Sequence, residues 1–238
     1  WRTSEIPAAG GIGNARAIGR VHSALMAVSI RSWPATRTTT GPSVATTARP
    51  SSSIGGASSS PQANALGATI ANAAQVAKAA GAGRVMIIGA PADEELRLGT
   101  ARKLGIDHVV NFAEQSPLDL CLELTEGRGA DLVIECSGAP PAISQAIQMV
   151  RKWGKICAIG LTGKRPVQLD WDAAMTKVIT LYFNMSTAYA SWDKTIGLIA
   201  DGKINVDLLI THTLPLTEWE RAFEAVESME ALKAVLVP

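Results

Sequence analysis

The chain has 238 residues, 47% hydrophobic and 18% charged, proportions that fit a globular protein with an apolar core. A formal net charge of +1 singles out no nucleic-acid, membrane or strongly acidic partner. No uncharged apolar run reaches the roughly 18 residues that a membrane-spanning helix needs.

Residues 1–65 follow no regular period. GPSVATTARPSSSIGGASSSPQANA is rich in Ser, Thr, Ala, Gly and Pro, and alternates with neither the helical nor the strand repeat. The first 60 residues hold six Arg (Arg2, Arg16, Arg20, Arg31, Arg37, Arg49) against the single acid Glu5, while the rest carries 16 Lys+Arg against 20 Asp+Glu. SALMAVSI (23–30) is the only run here that suits a short strand or helical turn. Three readings stand side by side: a disordered linker, an Arg- and Ser-rich transit peptide, or out-of-frame coding sequence. A basic nucleic-acid arm is disfavoured, because the arginines are scattered without interleaved aromatics. The chain starts at Trp1, so an incomplete, processed or truncated chain is expected.

From residue 66 helix and strand patterns alternate. ALGATIANAAQVAKAAGA predicts a helix stopped by Gly81 and Gly83. RVMIIG (84–89) is a buried strand, and DEELRLGTARKLG one amphipathic helix with acids first and Arg102 and Lys103 last. HVVNF (108–112) is a strand; SPLDLCLELTEG is a helix capped by Ser116. ADLVIECSG (130–138) is a strand. PPAISQAIQMVRKWG is a helix with prolines in its first turn, followed by the strand KICAIG (155–160). A short helix DAAMTK, the strand VITLYF (178–183) and the helix SWDKTIGLIADGK come next. LLITHTLPL is extended, TEWERAFEAVES is a helix capped by Thr217, and LKAVLV closes as a strand.

Strands and helices at this spacing predict βαβ units, hence an α/β fold with a doubly wound parallel sheet. Ligands of such sheets sit outside the carboxyl ends of the strands. Three cysteines (Cys121, Cys136, Cys157) lie in apolar runs at no metal or redox spacing, which points to reduced structural thiols and a cytoplasmic protein.

The run Arg97 to Gly105 (R-L-x-x-A-x-x-L-G), then GADLVIECSGAP, GKICAIGL and DGKINVDLLITHTLPLTEWERAFEAVES, resembles the medium-chain, zinc-type alcohol dehydrogenase family. The sorbitol/iditol and threonine dehydrogenase group is the nearest flavour. The resemblance spans residues 66–238. It implies a dinucleotide-binding (Rossmann-like) domain over 66–205, with 206–238 a tail belonging to the catalytic domain of intact members and 1–65 an irregular segment. It implies NAD or NADP as cofactor, with a lean to NAD, and hydride transfer from a secondary alcohol or polyol. Ile159, Gly160 and Leu161, with Tyr182, Phe183 and Asn184, would line the nicotinamide. Cys136, Ser137 and Gly138 would form the floor between the cofactor halves, and Arg97 would lie near the adenosine. A homodimer or homotetramer, paired through VITLYF, is the family expectation; no membrane or nucleic acid is implied.

Four departures from the family pattern are visible. The phosphate loop falls on residues 65–70, where Gly67 is the surviving glycine and Thr69 follows; Ala65 and Ile70 stand where glycines are needed for close approach. The strand before it should be aliphatic and central, yet Ser58–Gln62 includes Pro61. The ribose-binding acid at the end of the second strand is replaced by Gly89; Asp93 or Glu94 would have to reach back, or Arg97 would receive a 2′-phosphate. Finally, zinc is held by ligands from another domain in intact members. His22, His108 and His212 follow no metal spacing, so no metal site is expected here and no catalytic residue is assigned. These departures motivate the expectation that another reading frame upstream of codon 65 encodes the missing strand and glycine loop. A nucleotide-binding module without catalysis, or a zinc-free reductase of the quinone-oxidoreductase type, remain alternatives.

Overall fold

A computed structural model describes residues 26–30, 66–163 and 166–238. The rest of the 1–65 segment, with the expected linker, Ala65 and Ser58–Gln62, lies outside the described residues, as does His22. The described chain forms β1 (Met26–Ile30), α1 (Leu66–Ala79), β2 (Arg84–Gly89), α2 (Gly99–Lys103), β3 (His108–Asn111), α3 (Pro117–Leu124), β4 (Ala130–Glu135) and α4 (Pro140–Met149). It continues through β5 (Val150–Ala158), α5 (Trp171–Thr176), β6 (Thr180–Phe183), α6 (Tyr189–Ala200), β7 (His212–Pro215), α7 (Trp219–Glu227) and β8 (Ala234–Val237).

Six strands make one sheet in the order β3-β2-β1-β4-β5-β6. Residues on β2 alternate between its two faces. Met86 and Ile88 pack with Val110, Cys121 of α3, and Ala142, Ala146 and Ile147 of α4. Val85 and Ile87 pack with Ile70 and Ala74 of α1 and with Leu98. A strand covered on both faces reads as an unbroken apolar run, which is why RVMIIG was recognisable as one. The α/β, doubly wound architecture is therefore present.

The sheet is not wholly parallel. β1 fills the central slot but runs antiparallel to both neighbours, with Met26 opposite Ile88 and Glu135, and Ile30 opposite Arg84. The pairs β2–β3, β4–β5 and β5–β6 are parallel. The two strands flanking β1 consequently point the same way. Filling the slot satisfies two rows of backbone donors and acceptors that would otherwise be exposed edges, and either strand direction achieves that.

Several boundaries differ from expectation. The single helix expected over DEELRLGTARKLG is a 3₁₀ turn (Pro91–Asp93), a π turn (Glu94–Leu98) and then α2. The wider turn sets Arg97 beside Asp93 at 3.4 Å, both inside the protein. The helix expected to reach Gly154 ends at Met149, and β5 begins at Val150. Lys177 causes the stop: its ammonium donates to the carbonyls of Ile147 (2.8 Å), Gln148 (2.6 Å) and Val150 (2.9 Å), meeting the orphan acceptors of a helix end. Ser116 caps α3 as expected, accepting from Asp119 N–H. Thr217 does not cap α7; it lies in a 3₁₀ turn (Leu216–Glu218) and Glu218 holds the cap position without a side-chain bond.

The tail is a β7–α7–β8 unit with its own two-stranded parallel sheet. Leu209 and Leu232 pack on Ala68 and Ala71 of α1. The Gln75 side chain donates to Asn205 O (3.1 Å) and accepts from Asn205 N–H (2.7 Å). At the opposite end, α5, β6 and α6 contain no buried residue, so the sheet is thinly covered there.

Candidate cofactor edge and adjoining cavity

β2, β4, β5 and β6 end on one edge of the sheet. Helix α1 leads straight into β2 through residues 80–83, so it runs back along the strand and its amino end lies toward that edge. Gly67 and Thr69, expected in a phosphate loop, both sit within the first turn or so of α1. The strand-to-helix turn that normally precedes them is not made by β1, whose start, Met26, faces this edge and whose end, Ile30, faces the other.

The end of β2 is closed by its own chain. A Cβ at Gly89 would meet Leu98 Cδ2 at 2.7 Å and Asp93 Cβ at 3.3 Å, so an acid there would have to displace the buried Leu98. Asp93 does not reach outward: it is fully buried and accepts from Ala90 N–H at 2.9 Å. Arg97 is 4% exposed. Burial holds its guanidinium below the ordinary arginine value, opposed by the charge of Asp93.

The ends of β4 and β5 are welded together. The Glu135 carbonyl accepts from Ile159 N–H (2.8 Å) and Gly160 N–H (3.1 Å). Gly138 adopts φ +67°, and a Cβ there would overlap the Leu161 carbonyl. A Cβ on Gly160 would overlap the Gly138 nitrogen. Both glycines thus have a packing reason that is independent of any ligand. Cys136 is fully buried, against α1 and β2, and burial above all drives its thiol far up. Leu161 stands exposed beyond the end of β5, and Tyr182 and Phe183 are exposed in the last two positions of β6. The Asn184 amide donates to Cys157 Sγ at 3.0 Å.

Glu135 carries no role in the motif reading, although a lone acid closing the apolar run LVIE was the available signal. Its carboxylate Oε1 accepts from Ser137 N–H (2.8 Å), Ser137 hydroxyl (2.5 Å) and Gly138 N–H (3.0 Å). These bonds fix the loop that leads into α4. Burial pushes the carboxyl above the usual glutamate range, while the Ser137 and Gly138 bonds oppose the shift. Glu135 also lines a cavity of about 640 Å³ between α4, β5, α5 and β6, whose other walls include Ile143, Ala146, Ala174 and Phe183.

Among the described residues no three His, Cys, Asp or Glu side chains gather as a metal site. His108 and His212 are far apart in the topology, on β3 and β7. The described residues therefore do not fit a zinc ion.

A doubly wound α/β sheet takes its ligands outside the carboxyl ends of its strands, the edge that α1's amino end also reaches. The model of the zinc-binding dehydrogenase family matches residues 71–201, and the chain belongs to that family. Sorbitol dehydrogenase of Halalkalibacterium halodurans is 38% identical over 166 residues, covering 70% of this chain and 48% of the relative. L-threonine 3-dehydrogenase of Bacillus licheniformis is 33% identical over 168 residues, 70% of this chain and 47% of the relative. An alcohol dehydrogenase from Thermus sp. ATN1 superposes with a TM-score of 0.67 at 28% identity, covering 73% of this chain and 49% of that structure. The chain spans about half the length of the curated relatives that it matches.

Proposed function

We propose that these residues bind NAD or NADP, with a lean to NAD, along the shared carboxyl edge, as part of a dehydrogenase acting on a secondary alcohol or polyol. The observation that carries the reading is the convergence of α1's amino end with the ends of β2, β4, β5 and β6 on one edge, in a chain of the zinc-binding dehydrogenase family. The names of the relatives, sorbitol and L-threonine dehydrogenases, support the substrate class.

Each part of the edge has a task. The first-turn N–H groups of α1, around Gly67 and Thr69, would face the pyrophosphate. Leu161, Tyr182, Phe183 and Asn184 would flank the nicotinamide, with Ile159 and Gly160 behind them. Ser137 and Gly138, held by Glu135, would keep the floor between the cofactor halves rigid. Gly89 and Arg97 would border the adenosine side. When bound, such a cofactor would supply the acceptor for a hydride from the alcohol carbon. The chain's contribution is to hold that ring against exposed apolar side chains and exclude water from one of its faces.

Residues 66–205 would be the dinucleotide-binding unit and 206–238 a part of the catalytic unit. β6 is an edge strand with all four residues exposed, which supports pairing with a second copy as a homodimer or homotetramer. Among the described residues no helix is long and apolar enough to cross a membrane; a cytoplasmic location is part of the proposal. The test is calorimetric titration of the 238-residue chain with NAD and NADP. Saturable heat is expected, stronger for NAD. Flat titrations at millimolar cofactor sink the proposal. Assays with polyols and threonine in the presence of NAD and added zinc then measure activity separately.

A further inference from the structure

At the amino ends of β4 and β5, the edge opposite the proposed cofactor edge, lies a second cavity of about 420 Å³. Four cations line it: Arg128, Arg151, Lys152 and Lys177. Among the described residues no Asp or Glu does. The whole chain carries a net charge of only +1, so the cluster is a local concentration of charge and not one patch of a basic protein.

Three segments bring the cations together, and backbone contacts clamp each segment to the next. Gly129 adopts φ +90°, and a Cβ there would meet Met149 O at 2.6 Å and Arg151 N at 3.0 Å. The turn that carries Arg128 therefore lies directly against the start of β5, which carries Arg151 and Lys152. The Trp153 N–H donates to Lys177 O at 2.7 Å, which ties β5 to the turn after α5. Lys177 Nζ reaches back to the carbonyls of Ile147, Gln148 and Val150. The cluster is preformed, so a ligand need not order it.

Its charge is unbalanced. Arg151 pairs with Asp131 at 2.6 Å. Lys177 has carbonyl partners and no carboxylate, and burial lowers its ammonium below the ordinary lysine value. Arg128 and Lys152 are exposed, and neither forms an ion pair among the described residues. The acids nearest in sequence to Arg128, Glu123 and Glu126, do not line the cavity.

We propose that this cavity binds a phosphoryl dianion, free or as a small monoester, gripped by Arg128 and Lys152 in the field of Arg151 and Lys177. With Asp131 set against Arg151, three cations remain without a carboxylate, which suits a doubly charged group better than a single carboxylate. The guanidinium fork matches phosphate oxygens in particular. The volume suits a small molecule, whose sites commonly enclose about 300–1,000 Å³. A nucleic acid would need a basic stripe following successive phosphates, and the cluster is a single concave site.

The experiment is calorimetric titration of the full chain, at a fixed ionic strength of about 0.1 M, with inorganic phosphate, glycerol 3-phosphate and acetate. Both phosphates are expected to bind at least about tenfold tighter than acetate, because the second charge meets further cations. Tighter binding of glycerol 3-phosphate than of phosphate assigns the site to a monoester; affinity no better for the ester assigns it to free phosphate. The chain carrying Arg128→Gln and Lys152→Gln together should bind either phosphate at least about tenfold more weakly. Lys103→Gln, at an exposed lysine of α2, should change nothing, and circular dichroism should show both chains folded. Flat titrations, equal affinities for phosphate and acetate, or unchanged affinity in the double variant overturn the proposal. Displacement of phosphate by saturating NAD overturns it too, since the anion would then sit at the cofactor edge. So does displacement by a duplex DNA oligonucleotide, which would make the cluster a nucleic-acid contact. NAD binding to the double variant is measured on its own and should match the parent, so failure of either reading leaves the other standing.

Discussion

Replacing Gly160 by Ala tests whether the weld between β4 and β5 is a matter of packing. The new methyl would overlap the Gly138 nitrogen and lie 2.7 Å from the carbonyl carbons of Cys136 and Ser137. All three obstacles are backbone atoms, in a loop pinned by four hydrogen bonds to the Glu135 carboxylate. Overpacking typically costs about 1–3 kcal/mol, and rigid neighbours put this case near 3 kcal/mol. Gly197→Ala is the matched control. Gly197 lies in α6 with nothing within 4 Å of an added Cβ, so the substitution should gain about 0.5–1 kcal/mol from helix propensity. The two Gly→Ala chains should therefore differ by roughly 4 kcal/mol, or more than about 1 M in urea midpoint for a slope near 3 kcal/mol/M. The assay is urea unfolding followed by circular dichroism, with NAD titration of each folded chain. A Gly160→Ala midpoint within about 0.3 M of the parent refutes the packing argument. Normal stability with lost NAD binding would assign the glycine to cofactor approach instead.

Val28→Pro removes the N–H at the middle of β1, opposite Met86 and Val133; a proline inside a central strand leaves a buried ladder acceptor unpaired, which should cost about 1–3 kcal/mol. Unchanged urea unfolding of that variant would contradict the central placement of residues 26–30. Stability should also depend on pH through Glu135. Its folded carboxyl holds a proton more tightly than the unfolded one, because of burial, against the Ser137 and Gly138 bonds. That contribution is present in full below the unfolded value and is lost as pH rises through the raised folded value. The difference in urea midpoint between the parent and Glu135→Gln should fall across that window; a difference that stays constant from about pH 4 to 8 contradicts burial as the cause.

Strands buried on both faces were legible because their pattern is local: RVMIIG and ADLVIE became β2 and β4 with boundaries close to those expected. The run SALMAVSI suits a short strand or a helical turn; its Met26–Ile30 part is a strand, and neither its slot nor its direction was legible. Those depend on pairing with residues more than 50 positions away (Arg84–Ile88) and more than 100 away (Leu132–Glu135). The end of α4 was misplaced for a similar reason: the lysine that terminates it lies at position 177, on the far side of β5. The expectation of a Thr217 cap failed because cap chemistry names residue types that suit a position and cannot see a 3₁₀ turn ahead of the helix. At the site, the sequence marks the glycines as expected cofactor contacts, while their contacts with each other's backbone, and Glu135's hold on the loop between them, emerge only when two strand ends meet.

The reversed central strand has a consequence for assembly. Each parallel pair in the sheet is linked by a nearby helix, so β2–β3 and β4–β5–β6 can each form from neighbouring segments. β1 belongs to neither group, yet it alone joins them: without it the sheet is a two-stranded piece and a three-stranded piece. Closing that gap pairs residues 26–30 with two distant stretches at once, a high contact-order step. Contact order thus makes these the slow pairings of the sheet, and the two halves meet around a strand whose direction neither of them dictates.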